Sequence, residues 1–431
     1  MICDNLTVSQ NGHLNFAGAD TLELASKYGT PAYIIDENKI REKCRIYTSA
    51  LSECFGEGSY PLFASKSLCF RQLYRIVAEE NMGIDVVSAG ELYVAWSSGF
   101  PMEKAYFHGN NKTDGEIAFG MEKGIGCFIC DNMDELYAIE REAEKRNITQ
   151  RILLRLTPGI DPHTHQKIST GNVDSKFGSA IVTGQAMAIT KAALSLSHIR
   201  LDGFHCHVGS QIFDTQPFTD AARIMIDFIA SVKSETGFEA KVLNLGGGMG
   251  VRYVESDPVI DYRKNIHEVA DVVKSECEAL GIKVPSILME PGRSIVADAG
   301  LTLYTVGSRK EIGGIRNYVS IDGGMTDNPR FTLYGSSYTV FNAGKMNDEC
   351  DYVCTVAGKC CESGDLIQEN VAIPSPVRGD ILAVCTTGAY NYTMSSNYNS
   401  ITKPPIIMVN NGESYVAVER ESFEDMVKNH K

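Results

Sequence analysis

Short apolar runs alternate with amphipathic stretches through the middle of the chain. Gly, Pro, Asn or Asp bounds each run, as is typical of parallel strands that are buried on both faces. Between the runs, apolar residues recur at helical spacing, for example over 71–80, 133–140 and 221–229. The strand-like runs lie at 61–65, 84–88, 105–108, 127–130, 152–156, 201–205, 242–245 and 287–290. Eight strand–helix units in about 250 residues predict a TIM-like (β/α)₈ barrel, with a doubly wound open sheet as the alternative.

The pattern changes after about residue 297. Strand-like runs then follow one another with turns and few helical segments, at 318–321, 352–356, 381–384, 406–409 and 415–418. This arrangement predicts an all-β domain. The first 36 residues also look strand-like, and they could pair with that domain. We therefore expect a barrel over 37–297 and an all-β barrel or sandwich domain over 298–431, joined by the N-terminal strand from 1–36.

Composition narrows the classes of function. The chain has 431 residues, with 40 Lys and Arg against 54 Asp and Glu, so its net charge is −14. This balance argues against a nucleic-acid binder or an anionic-membrane binder, because both need clustered positive charge. No apolar run approaches the roughly 20 residues of a membrane span, and no secretory signal is visible. Thirteen scattered cysteines indicate reduced thiols, and so a cytoplasmic protein.

Cys127 and Cys130 have the spacing of a metal or redox pair. The two residues between them are apolar, and no second pair or nearby histidine completes a zinc site. We interpret this segment as a buried strand and predict no metal.

Two strand ends carry candidate chemistry, because strand ends meet at one mouth of a barrel. Lys66 follows the run 61–65. In a dry site its amine could form a Schiff base, although a lysine snorkelling to water is the alternative. Gly246–Gly248 follow the run 242–245 and could hold a phosphate with backbone N–H groups, or form only a tight turn. Their spacing is not that of the dinucleotide fingerprint.

Two further strand ends carry histidine and glutamate. His205 and His207 lie on one side of a strand, where they could contribute to a metal site or stack an imidazole on a flat ring. Glu290 could hold a heterocyclic nitrogen protonated, and Arg293 could clamp a phosphate or carboxylate, unless the two form a pair in a turn. In the β domain, Cys361 beside carboxylates is a plausible proton donor or a structural thiol.

A lysine, a glycine cradle, a stacking histidine and a carboxylate for a ring nitrogen are together the parts that pyridoxal phosphate requires. The joint pattern is more specific than any one member.

His163 and His165 look like polar loop residues.

On these residues the chain resembles the diaminopimelate decarboxylase family. This family belongs to the barrel-type, fold III pyridoxal-phosphate decarboxylases, which also include ornithine and arginine decarboxylases. The resemblance runs from 29–33 to 395–399. It implies that Lys66 links to the cofactor and that His207 stacks on its ring. It implies further cofactor contacts from Ser210, Gly246, Gly247, Gly248, Glu290, Gly292, Arg293 and Tyr390.

The resemblance also implies a substrate, meso-2,6-diaminopimelate, and its products, L-lysine and carbon dioxide. Family members carry an Arg and a Tyr in a stretch similar to 322–334, and Cys-Glu-Ser before Gly-Asp, as in 361–365. Two arginines can meet the distal carboxylate and a glutamate the distal ammonium. The residues implied at this end are Arg293, Arg330, Tyr334, Glu362 and Tyr390. Cys361 is implied as proton donor and, with Glu362, as a partner-subunit residue in a homodimer with shared active sites.

Two departures from the family pattern keep alternatives open. The lysine motif is Phe63-Ala-Ser-Lys66-Ser67 where the family more often has Tyr-Ala-Leu-Lys-Ala-Asn, and Lys359-Cys360 precede Cys361. The main alternative is decarboxylation of ornithine, arginine or carboxynorspermidine. An amino-acid racemase is disfavoured by Glu290, and a cofactor carrier by the β domain. A cofactor-free lysine aldolase is a further alternative. Whether Arg293 faces phosphate or substrate stays open.

Overall fold

The structure is a computed structural model that describes residues 1–160 and 174–431. His163 and His165 lie outside the described residues. The chain divides into two compact units. The first contains Met1–Glu42, Val251–Val259 and Arg293–Lys431, and the second contains Lys43–Gly250 and Ile260–Gly292.

The second unit is a closed barrel of eight parallel strands. Each strand pairs with the next, and the last pairs with the first, where Leu288 and Met289 lie opposite Tyr60 and Pro61. This closure confirms the predicted TIM-like barrel and rules out the open sheet. The strands are Tyr60–Ala64, Gly83–Val86, Ala105–Phe107, Cys127–Cys130, Gln150–Thr157, Ile199–His205, Val242–Asn244 and Ser286–Met289. A two-residue strand, Ser179–Ala180, pairs with Gln150–Thr157.

Helices alternate with these strands, as the periodicity predicts. Three of these helices begin soon after a strand ends, at a capping side chain that accepts the backbone N–H three residues on. The capping residues are Ser88, Thr113 and Asn132. The helices of the second unit are Arg71–Glu79, Ala89–Ser98, Asp114–Glu122, Met133–Arg146, Gln185–Ser195, Gln216–Thr236 and Tyr262–Ala279. The helix Glu37–Phe55 contains the boundary between the two units.

The barrel interior is apolar at one level and polar at the next. One buried cluster consists of Leu62, Tyr106, Cys127, Ile129, Leu153, Val242 and Leu288. Because side chains alternate along a strand, the residue two positions further on enters the same interior. Those residues and their neighbours form what we call the polar layer: Asp85, His108, Asp131, Arg155, His205, Asn244 and Glu290. Cys127–Cys130 is a fully buried strand, as predicted.

The first unit is rich in β-structure around one long strand, Gly300–Ile312. This strand pairs antiparallel with Ala32–Asp36 and with Ile381–Cys385. Ala32–Asp36 also pairs in parallel with Ile406–Asn410. The N-terminal strand therefore lies within the sheet built mainly from C-terminal residues, which confirms the predicted joining of the two segments.

The remaining elements of the first unit extend this arrangement. The other strands of the nine-stranded sheet are Arg316–Ile321, Val340–Asn342, Tyr352–Ala357, Leu366–Ile373 and Glu413–Val418. A separate three-stranded sheet consists of Leu6–Val8, Leu14–Phe16 and Ala19–Asp20. The helices are Thr21–Tyr28, Arg293–Val296, Arg330–Tyr334 and Phe423–Val427. Within the described residues, no helix is both long and apolar enough to cross a membrane.

One acid is completely buried in the first unit. Asp327 accepts hydrogen bonds from the Tyr304 hydroxyl and from the Gly324 backbone N–H, the latter at 3.0 Å. Burial is the main reason that the pKa of Asp327 rises from 3.8 to about 7, although the Tyr304 hydrogen bond opposes the rise. The folded chain thus binds this proton more tightly than the unfolded chain does.

We expect this carboxyl group to make stability depend on pH. Its contribution to the free energy of unfolding is fully present below about pH 4 and is lost as pH rises through about 7. The change in pKa from 3.8 to about 7 corresponds to about 4 kcal/mol. Asp327→Asn cannot ionise, so its unfolding free energy should fall much less between pH 5 and pH 8. Urea denaturation of both proteins at the two pH values measures this. An equal pH dependence in both would contradict the expectation.

Candidate active site

Glu290 occupies the centre of the polar layer in the second unit. One carboxylate oxygen, Oε1, lies 2.9 Å from His108 Nε2 and accepts a 2.7 Å hydrogen bond from Asn244 Nδ2. The other oxygen, Oε2, lies 3.2 Å from His205 Nε2. All four side chains are buried. A carboxylate has about four acceptor positions, so the hydrogen bonds from Asn244 and His205, with His108 close by, leave room for a further donor.

The surroundings keep Glu290 ionised despite its burial. Burial alone would raise the pKa of this carboxyl group, but the interactions with His108 and His205 outweigh it and hold the pKa well below the ordinary value. Burial lowers the pKa of His205 to about 4, so its ring is neutral near pH 7 and donates its Nε2–H to Glu290. The result is an anion, fixed by hydrogen bonds, that can face a protonated ring nitrogen.

Lys66 lies in a short 3₁₀ turn, Ser65–Ser67, directly after a barrel strand. Its positive charge lowers the pKa of both Asp85 and His207, which places it in the electrostatic environment of the polar layer. Burial is the main cause that raises the pKa of Asp85, and the charge of Glu290 adds to it. A Cβ at Gly292 would lie only 2.9 Å from the Cβ of Ala64, so the turn after Glu290 needs a glycine.

His207 and the three glycines form a second part of this site. Burial, with the charge of Lys66, holds the pKa of His207 well below its ordinary value, so the ring is neutral. The N–H of Gly247 donates to His207 Nδ1 at 3.3 Å. A Cβ at Gly246 would lie 2.9 Å from the same nitrogen, and a Cβ at Gly247 would overlap the carbonyl oxygen of Glu290. The loop can pass this close to both residues only without side chains.

Ser210 lies in the loop that is tied to the glycine loop. The N–H of Ile212 donates to the carbonyl of Gly248 at 3.0 Å, and the N–H of Gly250 donates back to Ile212 at 2.9 Å. A Cβ at Gly248 would overlap the carbonyl of Gly209, so these two loops run in direct contact. Ser210 directly follows Gly209, and a serine hydroxyl beside a glycine-rich loop suits a phosphate.

The first unit contains a separate cluster of arginine and tyrosine. The guanidinium of Arg293 lies 4.7 Å from the ring of Tyr390 and 5.8 Å from that of Tyr253. The guanidinium of Arg330 lies 5.7 Å from both rings and 5.5 Å from Tyr334. Arg293 also donates to the Tyr253 hydroxyl at 2.6 Å. Two buried cations that share aromatic faces suit a carboxylate ligand.

Cys361 and Glu362 lie on an exposed loop of the first unit, between the strands Tyr352–Ala357 and Leu366–Ile373. The N–H of Cys361 donates to Asn399 Oδ1 at 2.7 Å, which fixes the backbone while the residue stays exposed.

The structure therefore sorts the residues predicted from sequence into two groups. The second unit holds the first group, which shares the surroundings of Glu290: Lys66, His207, Ser210, Gly246, Gly247, Gly248, Glu290 and Gly292. The first unit holds the second group: Arg293, Arg330, Tyr334, Cys361, Glu362 and Tyr390.

Sequence reasoning missed several residues of both groups. At four positions a polar residue lies in or directly after a short apolar strand, and that interruption was the available signal. The four are Asp85, His108, Arg155 and Asn244. His205, which the sequence offered as a metal ligand or a ring-stacking imidazole, contacts Glu290. Nitrogen and oxygen atoms of His108, His205 and Glu290 all lie within 4.8 Å of one another, a set that could also hold a metal ion. Tyr253 gave no sequence signal at all.

The chain is similar to known proteins over nearly its whole length. Residues 37–297 match the family model described as the pyridoxal binding domain of pyridoxal-dependent decarboxylases. Diaminopimelate decarboxylase from Bacillus methanolicus is 45% identical, covering 96% of each chain. The enzyme of that name from Bacillus subtilis is 43% identical, covering 97% of this chain and 95% of the relative. A crystal structure of diaminopimelate decarboxylase from M. jannaschii in co-complex with L-lysine superposes with a TM-score of 0.92 at 33% identity, covering 100% of this chain and 98% of that one.

The residues of the second unit fit pyridoxal phosphate on their own geometry. Glu290 is an ionised acceptor with room for a protonated nitrogen, and His207 is a flat neutral ring. The glycine loop exposes a backbone that a Cβ would obstruct. A lysine, Lys66, belongs to the same electrostatic environment.

We expect Glu290→Gln to weaken the binding of pyridoxal phosphate at least tenfold, because an amide removes the negative charge that would face the ring nitrogen. Fluorescence titration of the cofactor-free protein measures the affinity. Glu80→Gln is the matched control, since Glu80 is a buried glutamate of the same unit that pairs with Arg45 at 2.8 Å. Equal affinities in the two variants would show that the charge of Glu290 is not used.

Proposed function

The chain belongs to the pyridoxal-dependent decarboxylases and, within them, to the diaminopimelate decarboxylase family, and on this premise we propose that it converts meso-2,6-diaminopimelate to L-lysine and carbon dioxide. The observation that carries the proposal is the buried, ionised Glu290, held by His108, His205 and Asn244. A carboxylate at this position suits a decarboxylase, whereas racemases of similar fold favour an arginine there. The similarity over nearly the full length supports the same reaction.

Pyridoxal phosphate, when bound, supplies the electron sink that accepts the electron pair of the broken carbon–carbon bond. Lys66 would hold the cofactor's carbonyl carbon covalently, and the loop Gly246–Gly248 with Ser210 would form the cradle of its phosphate. His207 would lie against the ring. Glu290 would keep a proton at the ring nitrogen, because the low pKa of this acid makes it an anion across the working pH range.

The cluster of Arg293, Arg330, Tyr334 and Tyr390 supports the choice of substrate. Diaminopimelate has a second carboxylate at its far end, and ornithine and arginine do not. Two buried guanidinium groups around shared tyrosine rings suit this carboxylate. Because Arg293 shares both rings with Arg330, we assign Arg293 to the substrate rather than to the phosphate.

Glu362 would meet the distal ammonium group, and Cys361 would return a proton to the α-carbon. We further propose that both residues act in the site of a partner subunit, in a head-to-tail homodimer. Their exposure on a loop of the first unit supports this role. The thirteen free cysteines support a cytoplasmic location.

A purified sample should show the visible absorbance of covalently held pyridoxal phosphate, and it should release carbon dioxide and lysine from meso-diaminopimelate. Ornithine and arginine should be turned over at least a hundredfold more slowly, because they lack the distal carboxylate. Lys66→Ala should lose both the covalent absorbance and the turnover. Equal or faster release of carbon dioxide from ornithine or arginine would replace this substrate with the alternative one.

Glu362→Ala should raise the KM for meso-diaminopimelate at least tenfold, because the distal ammonium loses its carboxylate partner. Steady-state kinetics measure the change. Glu369→Ala is a suitable control, since Glu369 is a glutamate in the same unit that pairs with Arg316 at 2.7 Å. A KM that stays the same in Glu362→Ala would remove this residue from the substrate site.

A further inference from the structure

Two loops of the first unit are joined along their length. We call residues 322–334 the arginine loop, since it carries Arg330, and residues 358–365 the cysteine loop, since it carries Cys361. The N–H of Lys359 donates to the carbonyl of Gly323 at 2.9 Å. The Thr332 hydroxyl donates to the carbonyl of Gly364, also at 2.9 Å. The two loops therefore hold each other at both ends.

Asp365 makes the connection between these two contacts. Its Oδ1 accepts the N–H of Met325, in the arginine loop, at 2.5 Å. Its Oδ2 accepts the N–H of Cys360, in the cysteine loop, at 2.7 Å. The side chain is buried, with 3% of the residue exposed. Hydrogen bonds to a charged acceptor are roughly twice as strong as neutral ones, so a single carboxylate binds both loops firmly.

Two glycines leave the space that this carboxylate occupies. A Cβ at Gly324, in the arginine loop, would lie 2.5 Å from Asp365 Oδ2, and a Cβ at Gly358, in the cysteine loop, would overlap the same group. Neither glycine has a left-handed backbone, so space and not conformation requires it. Each loop thus carries one glycine that admits the Asp365 side chain.

The surroundings of Asp365 disfavour its charged form. Burial raises the pKa of Asp365, and the charge of Glu362 raises it further, although the N–H donors of Met325 and Cys360 act in the opposite direction. Asp365 in turn raises the pKa of the buried Asp327. A buried carboxylate whose charged form its surroundings disfavour, and for which two glycines make room, indicates a functional role.

We propose that Asp365 is a positioning residue that sets Cys361 and Glu362 in a fixed place relative to Arg330. This inference rests on the proposed function of those three residues. Asp365 accepts the N–H of Cys360, and Asn399 accepts the N–H of Cys361. The backbone of Cys361 and of the residue before it is therefore anchored. Without Asp365 the thiol and the glutamate would lose their register with the arginine loop.

Asp365→Asn tests this assignment, because it keeps the size of the side chain but turns an N–H donor against one of the two backbone N–H groups. We expect kcat for meso-diaminopimelate to fall at least tenfold, while the affinity for pyridoxal phosphate stays unchanged. In a Cys361→Ala background the same substitution should change kcat less than threefold, since the positioned thiol is already absent. A loss of the same size in both backgrounds would overturn the proposal.

A second readout does not depend on turnover. Cys350 and Cys361 are the two exposed cysteines, so iodoacetamide reacts selectively with Cys361 in a Cys350→Ser protein. We expect Asp365→Asn to speed this alkylation at least threefold, because the loop that carries the thiol is released. An unchanged rate would contradict the anchoring role. If Asp365→Asn fails to fold, Gly324→Ala displaces the carboxylate and serves the same comparisons.

Asp380→Asn is the matched control. Asp380 also accepts a backbone N–H, from Val377 at 2.9 Å, and pairs with Lys345 in the same unit, but it belongs to neither loop. It should lower stability without altering kcat or alkylation; equal losses of kcat in both variants would reduce Asp365 to a structural role. If the unsubstituted protein forms no lysine, the proposed function fails, and alkylation still tests the anchoring. If it forms lysine but Asp365→Asn lowers kcat by the same factor with and without Cys361→Ala, this inference alone fails.

Discussion

A buried carboxylate that stays ionised governs the barrel mouth. Glu290 can remain an anion inside the protein because His205 and Asn244 donate hydrogen bonds to it and His108 Nε2 lies 2.9 Å from it. These donors must come from the same level of the barrel. The polar layer is therefore a set of interdependent residues, and the neutral state of His205 follows from the same burial that Glu290 overcomes.

The alternation of side chains along parallel strands places this layer. Leu288 and Leu153 belong to the apolar level, and two residues further along the same strands stand Glu290 and Arg155. The glycine loop then contacts the layer through Gly246, whose N–H donates to Asn244 Oδ1 at 2.9 Å. In the first unit the buried charges are positive, and tyrosine rings surround the two guanidinium groups that carry them.

Much of this arrangement was predictable from the sequence. The barrel, the β-rich character of the other unit and the pairing of the N-terminal strand follow from hydrophobic patterns and are confirmed. Lys66, the glycines and Glu290 could be singled out because each directly follows an apolar run. Asp85 and His108 were missed, since the patterns were used to find strands and not to ask which strands end in charge. Tyr253 was missed because its role depends on a short segment, Val251–Val259, that clusters with residues distant in the chain.

The sequence by itself determined the strand–helix order, the switch to β-structure, and which strand ends carry reactive groups, because these depend on periodicity and local residue type. Only the tertiary structure decided which of these groups meet. Hydrogen-bond partners such as Asp365 with Met325 and Cys360, and the pKa of Glu290, depend on burial and on contacts between segments far apart in sequence. Those quantities arise only when the chain is folded.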